Sequence, residues 1–208
     1  MKHNFLSIFV AIAIFALGTT HSHAQNTSAQ AKAVLEKAAK VVGRTGGVSA
    51  SFSMSSSKTG TVNGTIAVKG NKFNAHTPQA TVWFNGKTQW TYMKKSNEVN
   101  VSTPTAAQQQ MMNPYTFVNI YKNGYNLAMT KTGNSNVVHL VAQSSKQSIQ
   151  EMYVTISAKT NVPSQIKMKH SGKWYTISVT GFSVKNLSNS MFTFNSKDYP
   201  SAEIVDLR

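Results

Sequence analysis

Six carboxylates and six histidines are spread over 208 residues, and their spacing decides what acid–base or metal chemistry the chain can attempt. Glu36 lies in a helical stretch, Glu98 and Glu151 stand alone, and Asp198, Glu203 and Asp206 sit near the C-terminus. None forms a recognisable general acid–general base pair. Beyond residue 24 the histidines are His76, His139 and His170, each isolated, with no H-x-H or H-E-x-x-H spacing to hold a metal. Serines abound, yet there is no G-x-S-x-G elbow and no glycine-rich phosphate loop. Cysteine is absent, which removes disulfides, thiolate–zinc sites, a thiol nucleophile and a lipid-attachment cysteine. These residues argue against an enzyme and call for no metal and no cofactor.

The chemistry that remains is apolar. Trp83-Phe84-Asn85-Gly86-Lys87-Thr88-Gln89-Trp90-Thr91-Tyr92 places Asn-Gly between alternating large residues. That is a strong hairpin signal, because both central positions of a type I′ turn need positive φ. A two-residue loop predicts Phe84 opposite Lys87 and Trp83 opposite Thr88. The pleat then gathers Trp83, Trp90 and Tyr92 on one face, with Val82, Phe84, Gln89 and Met93 on the other. Such an aromatic face is either a core or a wall for an apolar ligand.

The elements that must position this hairpin follow from periodicity. Ala31, Val34, Leu35, Ala38, Val41 and Val42 make one helical stripe, with Thr27 or Ser28 as its cap and Gly43 as its stop. From Val48 the period becomes two: Val48, Ala50, Phe52 and Met54 alternate with serines, and Val62, Gly64, Ile66 and Val68 continue after a turn. Shorter runs follow at 71–76, 79–84, 87–94 and 97–103. Residues 106–112 and 115–121, separated by Pro114, interrupt the β rhythm as two short apolar helices carrying Met111, Met112 and Phe117. The rhythm resumes at 125–131, 136–144, 147–157, 162–170 and 173–185. The expectation is a mainly β (α+β) fold with an antiparallel sheet of about ten or eleven strands. There is no repeat and no linker, so residues 25–208 read as one domain.

Residues 1–24 read as a secretory leader. Lys2 and His3 precede an apolar run from Phe5 to Leu17, too short to span a bilayer, and Ser22-His23-Ala24 offers a cleavage site after Ala24. Export with no cysteine describes a soluble periplasmic protein that is not itself lipidated. The formal net charge of +15 is built from scattered lysines rather than an arginine-rich run. In an exported chain that disfavours nucleic acid and points to transient contact with anionic membrane surfaces or acidic proteins.

The hairpin run, with Glu98-Val-Asn-Val101 and Asn113-Pro114 after it, resembles the D-G-K-T-L-W-x-Y…Q-V…N-P pattern of periplasmic lipoprotein carrier proteins, the LolA-like family. Ala50-Ser51-Phe52, Gly64-Thr-Ile-Ala-Val68-Lys69, Phe192-Thr-Phe194 and Glu203-Ile-Val-Asp206 extend the similarity over residues 28–207. The resemblance implies an unclosed antiparallel β-barrel whose helices form a lid. It also implies transfer without chemistry, by a monomer that takes acylated lipoproteins from an inner-membrane ABC transporter and delivers them to an outer-membrane acceptor. The expected lipid-binding residues are Phe52, Met54, Trp83, Trp90, Tyr92, Met111, Met112 and Phe117. Met and aromatic side chains suit irregular acyl partners. The family's lid-latching Arg-Pro is replaced by Val68-Lys-Gly-Asn-Lys-Phe73, which leaves Lys69 or Lys72 as substitutes. A different class of function, a cell-envelope binding module for another lipid, lipopolysaccharide or glycan, fits the same aromatics, hydroxyls and positive charge.

Overall fold

The computed structural model describes residues 20–56, 60–122 and 124–208, with side chains left out at 20–26, 110 and 111. The chain opens with helix α1 (Thr20–Val42), followed by strands β1 (Val48–Ser56), β2 (Gly60–Lys69), β3 (Lys72–His76), β4 (Ala80–Phe84), β5 (Gln89–Met93) and β6 (Glu98–Ser102). Two short helices, α2 (Ala106–Met112) and α3 (Pro114–Phe117), and a 3-10 turn at Ile120–Lys122 lead into β7 (Tyr125–Thr132). Then come β8 (Ser135–Ala142), β9 (Ile149–Ser157), β10 (Pro163–His170), β11 (Lys173–Val184) and, after two 3-10 turns, β12 (Glu203–Asp206).

The twelve strands of the described residues form one sheet in the order β12-β6-β5-β4-β3-β2-β1-β11-β10-β9-β8-β7. The two ends of that order do not pair, so the barrel is unclosed. Eleven strands match the expected antiparallel runs. The twelfth, β12, adds to β6 in parallel, with Glu203 opposite Glu98 and Asp206 opposite Val101. A four-residue strand at the end of an irregular segment has too little alternation to be recognised from sequence alone.

Period-two alternation sets the two faces. The inward face carries Val48, Ala50, Phe52 and Met54 on β1, and Val138, Leu140, Met152, Val154 and Ile166 further along, many of them buried. The stripe Ala31, Leu35, Ala38 and Val42 of α1 is buried in the same core, with β7 as its main contact. No helix among the described residues is long and apolar enough to cross a membrane.

Two local expectations are corrected. Helix α1 is already formed at Thr20, the first described residue, so Thr27 and Ser28 lie within it and neither caps it. No proline or glycine interrupts Thr20–Ser28, so nothing breaks the helix across that stretch. Most of the expected leader, residues 1–19, lies outside the described residues; cleavage after Ala24 would remove the first five residues of α1. The hairpin loop is also longer than expected: Phe84 pairs with Gln89 and Trp83 with Trp90, leaving Asn85–Thr88 as the loop. Only Gly86 takes positive φ there, at 100°. Asn85 instead uses its side chain, Oδ1 accepting from the Lys87 and Thr88 amides at 3.0 and 2.9 Å. Both partners move by an even number of positions in total, so parity is kept and Trp83, Trp90 and Tyr92 still share a face.

Candidate apolar binding cavity

A cavity of about 320 Å³ lies between the concave face of the sheet and the helical connection. Its floor is Phe52 and Met54 of β1, Val62 and Ile66 of β2, Ala75 of β3 and Val82 of β4, with Ile166 of β10 and Ile177, Val179 and Phe182 of β11. Met112, Pro114, Phe117 and Val118 form its roof, and among the described residues of the lining only Ser49 and Thr77 are polar. No ionisable side chain among them borders it, so a buried charge would find no partner there, whereas hydrocarbon loses nothing by entering.

Two glycines shape the floor. Gly64 pairs with Phe52 on the inward face of β2, and a Cβ there would stand 2.5 Å from Cζ of Phe52 and 2.4 Å from the His76 carbonyl oxygen. The bare backbone lets the Phe52 ring lie across β2, and it lets β3 approach closely at a bend. On β11, Ser49 faces Ser183 while Ser51 faces Thr180, so one extra residue bulges out where Gly181 takes φ 61°. The bulge reverses parity. Even-numbered Phe182 and odd-numbered Val179 and Ile177 therefore all line the cavity.

Of the expected lipid-binding residues, Phe52, Met54, Met112 and Phe117 are in the lining. Met111 is in α2, but its side chain is not described. Trp83, Trp90 and Tyr92 are not in the lining, because Val82 points inward and the pleat turns its neighbours outward. There the C-terminal segment covers two of them. Trp83 packs edge-on against Phe194 and Tyr199, with centroids 5.5 and 5.6 Å apart, and Tyr92 lies 4.6 Å from Tyr199. Phe192 is fully buried beside this segment. Ile66, Ile177 and Val179 were legible as alternating apolar positions; Phe182 was not, because the bulge hides its parity.

Asn113 fastens the roof. Asn113 donates from Nδ2 to the Asn71 carbonyl at 2.8 Å, tying the lid to the β2–β3 turn. Its Oδ1 accepts from the Tyr115 amide at 3.0 Å as the cap of α3, and its own amide closes α2 on the Gln109 carbonyl at 2.9 Å. The other end of α2 has a capping box between Thr105 and Gln108. Lys69 and Lys72 do not perform the expected latching. Lys69 Nζ donates to the Leu187 carbonyl at 2.6 Å and Lys72 Nζ to Asn189 Oδ1 at 3.3 Å, so both hold the C-terminal segment on the outward face. Their strand positions point away from the inward-facing Val68 and Phe73. Tyr115 adds a second lid contact, because its ring occupies the space beside Gly43, where a Cβ would stand 2.6 Å from Tyr115 Cε2.

The titratable groups stand outside the lining. His76 bonds Asn74 Oδ1 at 2.7 Å, and burial followed by nearby Lys94 pushes its pKa down. His139 stacks on Tyr153 with centroids 4.2 Å apart and meets Glu151 at 2.9 Å. Hydrogen bonds from His139 and Tyr153 hold the Glu151 carboxyl below its usual range. His170 bonds the Ser148 carbonyl through Nδ1 at 2.6 Å. Tyr125 is buried, donates to the Ile149 carbonyl at 2.8 Å, and is pushed up to about 12 by desolvation.

Comparison with known proteins places this geometry. The family described as outer membrane lipoprotein carrier protein LolA matches residues 20–172. An uncharacterized conserved protein from Thermus thermophilus superimposes with a TM-score of 0.58 at 14% identity, covering 85% of this chain and 99% of its own. A LolA superfamily protein from Nitrosomonas europaea gives 0.45 at 11% identity, covering 79% of this chain and 97% of its own. A putative outer membrane lipoprotein-sorting protein domain from Vibrio parahaemolyticus gives 0.47 at 9%, covering 80% and 97%. No curated protein matches the chain.

Proposed function

The chain belongs to the family of outer membrane lipoprotein carrier proteins, and from that membership we propose that it carries the acyl chains of lipoproteins through the periplasm. The observation that supports this best is a cavity with an uncharged lining, roofed by a separately fastened helical segment. The family is one of carriers, and the proposed activity is transfer without bond-making.

The energetics suit a carrier. A cavity of about 320 Å³ has room for roughly ten water-sized groups. Burying about ten methylenes gives on the order of 8 kcal/mol, a micromolar-scale affinity before the costs of ordering. Holding more hydrocarbon requires the lid to move off the sheet, so cargo binds the open form and shifts the equilibrium toward it. Loading would draw on the ATP of an inner-membrane transporter, and unloading would run downhill into an outer-membrane acceptor. The leader at residues 1–24, a monomeric state and transient contact with anionic membrane surfaces belong to the same proposal.

The test is release. Residues 25–208 are mixed with membranes bearing radiolabelled lipoproteins, the transporter and ATP, and label is sought in the soluble fraction as a one-to-one complex. Release supports the carrier. Acyl probes that bind without release indicate another lipid cargo. If neither binds, a module for lipopolysaccharide or glycan replaces this reading.

A further inference from the structure

Strand β2 is ten residues long, whereas its neighbour β3 has five. Their pairing stops at Thr65 and His76. It stops there because Thr77 closes a turn, its amide donating to the Ala80 carbonyl at 2.8 Å and its Oγ1 accepting from the Ala80 amide at 3.0 Å. Over Gly60–Asn63, β2 therefore has β1 on one side and, among the described residues, no strand on the other. In an antiparallel pair, alternate residues direct their amide and carbonyl away from the partner, so this stretch presents unmatched backbone groups. Gly60, Thr61 and Asn63 are exposed, and the stretch carries neither charge nor proline to discourage pairing.

This edge borders the cavity. Val62 lies in the lining, and so does Thr77 across the gap. The sheet's two outer edges, β7 and β12, contribute nothing to that lining. We infer that Gly60–Asn63 receives, as an added β-strand, the extended peptide that adjoins the acylated residue of the cargo. Strand addition uses backbone hydrogen bonds and leaves alternate side chains on opposite faces. One side chain in two of the added strand points to the concave face beside Val62, and an acyl group on it enters the cavity directly. Its neighbours face solvent with Thr61 and Asn63. Recognition through backbone alone accepts many cargo sequences. The inference rests on the acyl-carrier reading.

Its test uses the whole protein and three probes: palmitate, a hexapeptide with one S-palmitoyl cysteine, and the same lipopeptide N-methylated at alternate backbone positions. Affinity is measured by titration, and amide exchange is followed at residues 60–63. The unmethylated lipopeptide should bind about tenfold more tightly than its methylated twin, the loss expected for one to two backbone hydrogen bonds. It alone should slow exchange at residues 60–63. Equal affinity of the two lipopeptides, with palmitate bound and exchange unchanged, overturns strand addition and leaves the cavity reading standing. If no acyl probe binds, the cavity reading falls and strand addition falls with it.

Discussion

Replacing Asn113 with Asp separates the lid latch from the helix cap. Asp is as good a cap as Asn, so the Tyr115 amide keeps its acceptor. The Nδ2 donor is lost, and an oxygen faces the Asn71 carbonyl, which was its partner at 2.8 Å. Asn113 is 1% exposed, so water does not readily replace the lost donor. Losing the bond and leaving the new carboxylate oxygen unpaired at a position only 1% exposed costs about 2 kcal/mol, which moves the lid equilibrium roughly thirtyfold toward open. Amide exchange reports this directly. In N113D the amides of 106–118 should exchange about thirtyfold faster, while those of β9, in the core, keep their wild-type rates. N113A should go further, because losing the cap adds about 1 kcal/mol. Asn71→Ala should change little, since the acceptor is main chain. Unchanged lid exchange in N113D would refute the latch. Equal acceleration in β9 would show that the bond supports the whole fold rather than a separable lid.

Placing a charge in the lining by Ile177→Asp should weaken acyl-probe binding at least tenfold, measured by fluorescence titration, because the carboxylate has no partner there. Trp83→Ala should cost about 3–5 kcal/mol in denaturant unfolding, since the ring is 8% exposed beneath the C-terminal segment. It should leave acyl-probe affinity within about twofold, because Trp83 is on the far face from the cavity. Tyr125 sets an alkaline limit. Its pKa is raised from 10.0 to about 12 on folding, so its contribution is complete below about 10 and is lost as pH rises toward 12. Stability should fall by about 1.4 kcal/mol per pH unit across that window, and Tyr125→Phe should flatten the slope in unfolding experiments repeated at each pH.

By itself the sequence determined which side chains share a face and where the helices interrupt the sheet. Alternation with period two separates Val48, Ala50, Phe52 and Met54 from their serines whatever the neighbouring strand does. Trp83, Trp90 and Tyr92 stayed together even when the loop register changed, because the change preserved parity. Pro114 separates the two short helices of the lid in the sequence itself, whereas the caps formed by Thr105 and Asn113 emerged in the structure. Alternation carries no sign, however, and cannot say which face is concave. In β4 both faces carry a large apolar side chain, Val82 for the cavity and Trp83 for Phe194 and Tyr199, which arrive from more than a hundred residues away. Only the tertiary structure assigned Trp83 to the outer layer and Val82 to the cavity. It alone brought Phe182 inward through the bulge at Gly181. The latch was likewise beyond the sequence, because the Asn71 carbonyl has no residue type to recognise and meets Asn113 only once the sheet has curved beneath the lid.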